Sequence, residues 1–260
     1  MNKIVLTGAV ILFSFSLLAE PSMKIEAAGD SGTAVVVYEG STELGREIYD
    51  GDGFYLSTKG KIPDGSYKIF YKDGKTPRME YSFKAGHKVA ARIYTEEGLV
   101  QYEAEYKNGM LDGKKTLFYK DKTPMQVINF RKGKKDGVYT AYHQTGKVEY
   151  EENYKEDVKQ GKRKTYYASG VLECEETYLN DVLDGPWKKY WENGKVKGET
   201  VYKGGAPKGS FKSYHENGKI ETEANYRNGL LDGTMKIYLP DGTLKSEEVY
   251  KDEKLVKKIK

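Results

Sequence analysis

The groups in this chain that could carry chemistry are a recurring glutamate, three histidines, one cysteine and a Gly-Lys-Thr segment. Glu103, Glu175, Glu199, Glu223 and Glu247 have the side chains an acid–base mechanism uses. Each, however, stands in a different copy of one motif, eleven positions after a base: Arg92, Lys164, Lys188, Lys212 and Lys236. Pairs that recur in this way read as exposed structural ion pairs, not as a row of catalytic acids. His143 and His215 occupy equivalent places three copies apart, about 30 Å from each other at about 4.8 Å per strand. That separation, with His87 in a degenerate copy, rules out a shared zinc ion, which takes three or four ligands. Gly74-Lys75-Thr76 has the ending of a phosphate-binding loop, but Ile69 stands where that loop needs its first glycine, so the segment reads as a turn. The Asp-Gly pairs are lone turn carboxylates without the dense oxygen ligation of calcium. Cys174, the single cysteine, cannot close an internal disulfide, and it occupies a place held by Gly198, Thr222 and Ser246 in later copies. It reads as a small packing residue. No catalytic, metal-binding or cofactor-binding residue is expected.

The elements that position these groups follow from a period of 24 residues. Gly65, Gly113, Gly137, Gly161, Gly185, Gly209 and Gly233 keep that step, with Val89 at the anchor of the degenerate copy. A second glycine column runs Gly74, Gly98, Gly146, Gly170, Gly194, Gly218 and Gly242, with Lys122 at its one vacancy. A fixed period marks a repeat architecture, whose extended surface favours recognition over chemistry.

In one copy, Phe211–His215 and Ile220–Tyr226 alternate like strands on either side of Asn217-Gly218. Asn-Gly between two such runs predicts a hairpin with a type I′ turn, both central residues at positive φ. That register sets Lys212 opposite Glu223, Lys188 opposite Glu199, Lys164 opposite Glu175, Lys236 opposite Glu247 and Arg92 opposite Glu103. Each such pair contributes roughly 0.2–1 kcal/mol and helps to fix register. Two aromatic columns run through the copies. One is Phe70, Tyr94, Phe118, Tyr142, Tyr166, Tyr190, Tyr214 and Tyr238; the other runs from Phe83 and Tyr106 through Phe130 to Tyr250. They are expected to pack copy on copy, with the tyrosine hydroxyls reaching water at the rim.

The predicted fold is all-β: an elongated single-layer antiparallel ribbon of about eight hairpins, each advancing about 10 Å. Residues 62–250 form the array. Residues 20–61 follow the period poorly; Val35–Tyr38 and Phe54–Leu56 look like strands of an N-terminal β cap over the first edge. Residues 251–260, with Lys254, Lys257, Lys258 and Lys260, are expected to be a basic, solvated tail.

Residues 1–19 carry Lys3, an uncharged apolar run from Ile4 to Leu18, and Ala19 before a plausible cut, the pattern of a secretory signal peptide. The alternative is an uncleaved anchor. No cysteine follows the run to accept a lipid. The formal net charge of +4, lowered by one when Lys3 leaves, gives no argument for nucleic acid, since both signs are mixed throughout.

Tyr106–Gly113 (YKNGMLDG) and Tyr226–Gly233 (YRNGLLDG) resemble the aromatic-Lys-Asn-Gly-x-x-x-Gly segment of MORN repeats, and the resemblance covers roughly residues 62–260. Where the usual copy has histidine before the closing glycine, this chain has Asp112, Asp136, Asp184 and Asp232. That looks like the bacterial variant found in YwqK-family antitoxins. The resemblance implies a hairpin ribbon and a part in protein scaffolding, dimerisation or phospholipid contact. It also implies that a phosphatidylinositol-phosphate kinase label would be inherited from the repeats alone, because signal, cap and array leave no room for a kinase domain.

The expected function is that of an exported, non-enzymatic binding scaffold at the cell envelope: periplasmic, on the outer surface or secreted. A protein partner is expected, self-association through ribbon edges is open, and nucleic acid is not expected. The alternatives are an antitoxin or immunity protein, and a phospholipid- or glycan-binding tyrosine face. Trp187, Trp191, Phe211 and His215 depart from the consensus on neighbouring strands and share one face by alternation, which makes them the candidate partner surface.

Overall fold

The computed structural model describes residues 20–29, 32–50 and 55–260. The signal segment 1–19 and the expected strand residue Phe54 lie outside them. The chain divides between Ile62 and Pro63 into two units.

The first unit is a four-stranded antiparallel sheet in chain order, Pro21–Ala28, Gly32–Glu39, Thr42–Tyr49 and Tyr55–Gly60. The valine run forms its second strand, where Val36 and Val37, on opposite faces, are both 0% exposed. Glu47 is buried beside them and accepts a hydrogen bond from the Tyr49 hydroxyl.

The second unit is the array. From Gly65–Phe70 to Lys254–Lys258 every strand pairs antiparallel with its neighbours in chain order. Among the described residues no ladder joins the first of these strands to the last, so the sheet is open and not a barrel. Eight hairpins follow one another, as the period requires. The chain does not fray after the eighth: Lys254–Lys258 adds a further strand against Leu244–Lys251, and Ile259 N bonds Glu247 O at 2.8 Å. Residues 251–260 are all exposed, but Lys254–Lys258 are paired as a strand and are not a free tail. The reason is that Asp252 and Glu253, at φ +47° and +66°, make the same tight turn as the earlier copies.

The type I′ turn expected within each hairpin is not found there. At Asn217-Gly218 only the glycine has positive φ, +93°. Gly218 N bonds His215 O at 2.8 Å and His215 N bonds Lys219 O at 2.9 Å. This is a three-residue loop, a type I turn with a left-handed glycine closing it. The type I′ geometry lies between copies instead, at pairs such as Asn108-Gly109 and Asn228-Gly229, where both residues have positive φ. The expected pairing survives because the register shifts next to the turn: Tyr214 faces Ile220 and Ser213 faces Thr222, with Glu221 as the extra residue. Lys212 faces Glu223, and all five proposed acid–base pairs are in register.

The anchor glycines and the second aromatic column prove to be one feature. Gly113 faces Phe130, Gly137 faces Tyr154, Gly161 faces Tyr178, Gly185 faces Tyr202, Gly209 faces Tyr226 and Gly233 faces Tyr250. The ring column thus runs opposite the positions that carry no side chain of their own.

Candidate binding surface

In most copies the hairpin sets its base across from its acid, and the next hairpin sets another base on the acid's far side. Glu199 lies between Lys188 and Lys212, Glu223 between Lys212 and Lys236, and Glu175 between Lys164 and Lys188. The result is one row across the sheet, running from Lys68, Glu80, Arg92 and Glu103 at one end to Lys236 and Glu247 at the other. The ion pairs form within hairpins: Arg92–Glu103 at 2.7 Å, Lys188–Glu199 at 2.9 Å, Lys212–Glu223 at 3.5 Å, Lys236–Glu247 at 3.6 Å and Lys164–Glu175 at 3.7 Å. Charges of the same sign never meet along the row, which is the arrangement cross-strand electrostatics favours.

The first aromatic column belongs to this row. The hydroxyls expected to point to water instead donate to the glutamate of the preceding copy. Tyr94 donates to Glu80 at 2.6 Å, Tyr214 to Glu199 at 2.9 Å, Tyr238 to Glu223 at 3.1 Å, and Tyr166 and Tyr190 to Glu151 and Glu175 at 3.4 Å. A half-buried phenol needs an acceptor, and the period supplies a carboxylate fifteen residues back, or fourteen for Tyr94. The Lys188 ammonium, then the Tyr214 hydroxyl, hold the Glu199 carboxyl below the usual carboxylate range. Burial, then the bond to Glu199, pushes Tyr214 up to about 12. Both shifts move these groups away from neutral pH, opposite to what a general acid or base needs.

The row has one interruption. Thr116, Val127 and Thr140 stand in register where base, acid and base would fall. Fifteen residues before Tyr142, therefore, stands a valine and not a glutamate.

The opposite face carries a second polar network. Glu152, 5% exposed, accepts from Tyr154 at 2.6 Å and pairs with Lys159 at 2.9 Å and Arg163 at 3.5 Å. Arg163 reaches on to Glu176 at 2.9 Å, so the network ties three strands together. A buried carboxylate is tolerable only when paired and hydrogen-bonded in this way. Cys174 lies buried near it, and burial raises its thiol to about 11, so it is almost wholly protonated at neutral pH. Among the described residues no three His, Cys, Asp or Glu side chains are grouped to hold a metal ion.

The four candidate partner residues divide into two kinds. Trp187 and Phe211 occupy equivalent places in neighbouring copies, and both are half-buried. The Trp187 ring covers Gly198, where a Cβ would lie 3.3 Å from it, and Phe211 meets Tyr226 edge-on at 6.2 Å. Trp191 and His215 begin the turns, and their polar atoms are committed to the next copy. Trp191 Nε1 donates to Tyr214 O at 3.0 Å, and His215 Nε2 donates to Tyr238 O at 2.9 Å. Tyr71, Tyr119 and Tyr167 make the same bond with their hydroxyls, to Tyr94 O, Tyr142 O and Tyr190 O, at 2.6, 2.8 and 2.7 Å. Sequence reasoning missed this stitch because tyrosine, tryptophan and histidine look unrelated. The available signal was that each carries a donor at the end of a ring, and that they share one column.

Five copies in this chain match the family model described as the MORN repeat variant, at residues 135–156, 159–180, 183–203, 207–228 and 231–252. A comparison with curated proteins returns no match.

Proposed function

Residues 135–252 of this chain are an array of MORN-variant repeats, and from that premise we propose that the protein is an exported, non-enzymatic scaffold that binds another protein at the cell envelope. The observation that carries the reading is the row of paired charges. Its acids, bases and phenols are bonded to one another, copy after copy, so they build a surface and do not assemble a reaction centre. The signal-like character of residues 1–19 supplies the export part. Trp187 and Phe211 supply the contact: two large, half-buried rings on adjacent copies, neither needed for the stitch between copies. Aromatic groups in such settings are typical interface anchors.

The test is a photo-crosslinking amino acid in place of Phe211, in the tagged full-length chain expressed in intact cells. Mass spectrometry would identify the adducts, and fractionation with N-terminal sequencing would locate and define the mature chain. One protein adduct from a chain cleaved near Ala19 supports the proposal, and a toxin as that adduct would make the protein an immunity factor. A chain retained in the cytosol would refute the export part. Lipid or glycan adducts in place of protein would refute the protein-scaffold reading.

A further inference from the structure

The interruption in the charge row leaves two carboxylates each one base short. Glu103 has Arg92 on one side, at 2.7 Å, and Thr116 on the other. Glu151 has Lys164 on one side in register and Thr140 on the other. Among the described residues, Glu151 is the one carboxylate of the row without an ion pair; its contact is the Tyr166 hydroxyl at 3.4 Å. Elsewhere in the array, the column that contains Thr116 and Thr140 holds Lys68, Arg92, Lys164, Lys188, Lys212 and Lys236. The two acids therefore flank one neutral strip of Thr116, Val127 and Thr140, of which Thr116 and Val127 are half-buried and Thr140 is 9% exposed, with Val138 beside it at 40% exposure.

Resting on the reading of the array as a protein-binding surface, we propose that this strip is the docking site for an extended segment of a partner protein that carries two cationic side chains, six residues apart, on either side of small apolar residues. Charge complementarity identifies the occupant: Glu103 and Glu151 are each flanked by one base where Glu175, Glu199 and Glu223 are flanked by two, and two bases from a partner would complete the pattern. The spacing agrees. Glu103 and Glu151 are four strands apart in the row, about 19 Å at about 4.8 Å per strand. Seven extended residues span about 20 Å, and their first, third, fifth and seventh side chains share one face. The structure also provides room at the Glu103 end. A depression of about 370 Å³ opens there, its lining including Glu80, Glu103 and Glu105 with Arg92, Lys114 and Thr116. The carboxylates outnumber the cations in it, which suits a lysine or arginine side chain. An anionic lipid surface would meet these acids unfavourably.

The probe is a fluorescent peptide, Lys-Ser-Val-Ser-Val-Ser-Lys, with a control that has glutamate at both ends, titrated with the full chain and read by anisotropy. The lysine peptide is expected to bind at least about tenfold tighter than the control and to weaken as salt rises. The variant Thr116→Lys, at the half-buried end of the strip, supplies one missing base from within, as other copies do. It is expected to lose at least about tenfold in affinity while melting no lower than the parent. Should that variant not fold, Glu151→Gln, which removes one acid, is expected to weaken the lysine peptide alone. Equal affinity for the two peptides, no binding of either at millimolar concentration, or unchanged affinity in the substituted chains would overturn the proposal. Any of these would leave the scaffold reading standing, since that reading depends on the crosslinked partner.

Discussion

The hydroxyl of Tyr214 donates to Glu199 of the preceding copy at 2.9 Å, while Glu199 also holds Lys188 at 2.9 Å. One carboxylate thus joins a hairpin to itself and to the next. Tyr214→Phe removes the link between copies and keeps the ring. It should cost about 1.5 kcal/mol, the lower end for a bond to a charged group because the site is only half-buried. Urea unfolding should show a lower midpoint at unchanged slope; an unchanged midpoint would mean the ring alone matters.

The same group sets the response to acid. The Glu199 carboxyl is more acidic in the folded chain, through Lys188 first and Tyr214 second. Its contribution to stability is present above its unfolded pKa, about 4.3, and is lost as pH falls through the lower folded value. Melting temperature should therefore drop below about pH 4, and Glu199→Gln, which does not titrate, should flatten that slope.

In alkali the tyrosines take over. Burial, then a glutamate neighbour, pushes Tyr94 and Tyr214 up to about 12. A raised phenol favours the neutral folded form, so its contribution is complete below about pH 10 and disappears toward pH 12. The double variant Tyr94→Phe/Tyr214→Phe should lose less stability between those values than the parent; an equal loss would place the effect elsewhere.

The anchor glycines are not equivalent. Gly185 has φ +137°, and a Cβ there would come within 2.8 Å of Thr177 Cβ. Gly209 has φ +80° and nothing within 4 Å of such a Cβ. Gly209→Ala should cost about 1–2 kcal/mol from backbone strain alone. Gly185→Ala should cost about 3 kcal/mol or more, because overlap adds to strain. Calorimetric melting of the two variants would separate the terms, and equal losses would show that the sheet relaxes around Thr177.

The stitch between copies fails at Thr95, whose hydroxyl serves its own turn, and at His143, whose Nε2 is buried with no hydrogen-bond partner in the structure. Its column holds tyrosine at Tyr119 and Tyr167, each bonded to the carbonyl 23 residues on. His143→Tyr should therefore stabilise the chain by about 1 kcal/mol, and Trp191→Phe, which deletes the Nε1 donor, should destabilise it by a similar amount. Thermal melts in which the two shifts share a sign would contradict the stitch.

The sequence by itself determined the hairpin array and its register. A period of 24, glycine columns and alternating strands point to successive antiparallel hairpins, and the Lys212–Glu223 type of pair followed from counting alone. The turn chemistry was legible but misplaced. Asn217-Gly218 and Asn228-Gly229 carry the same letters, and which pair becomes type I′ depends on whether two residues or three must close the loop between already paired strands. What only the tertiary structure decided is everything that links one copy to the next: bases on both sides of each glutamate, phenols turned onto the preceding carboxylate, and ring donors reaching a carbonyl 23 residues away. A period states which residues recur, not which neighbour each one faces. The side-by-side pairing of hairpins supplies that, and it turns the valine at 127, one ordinary residue in the chain, into a gap in a row of charges.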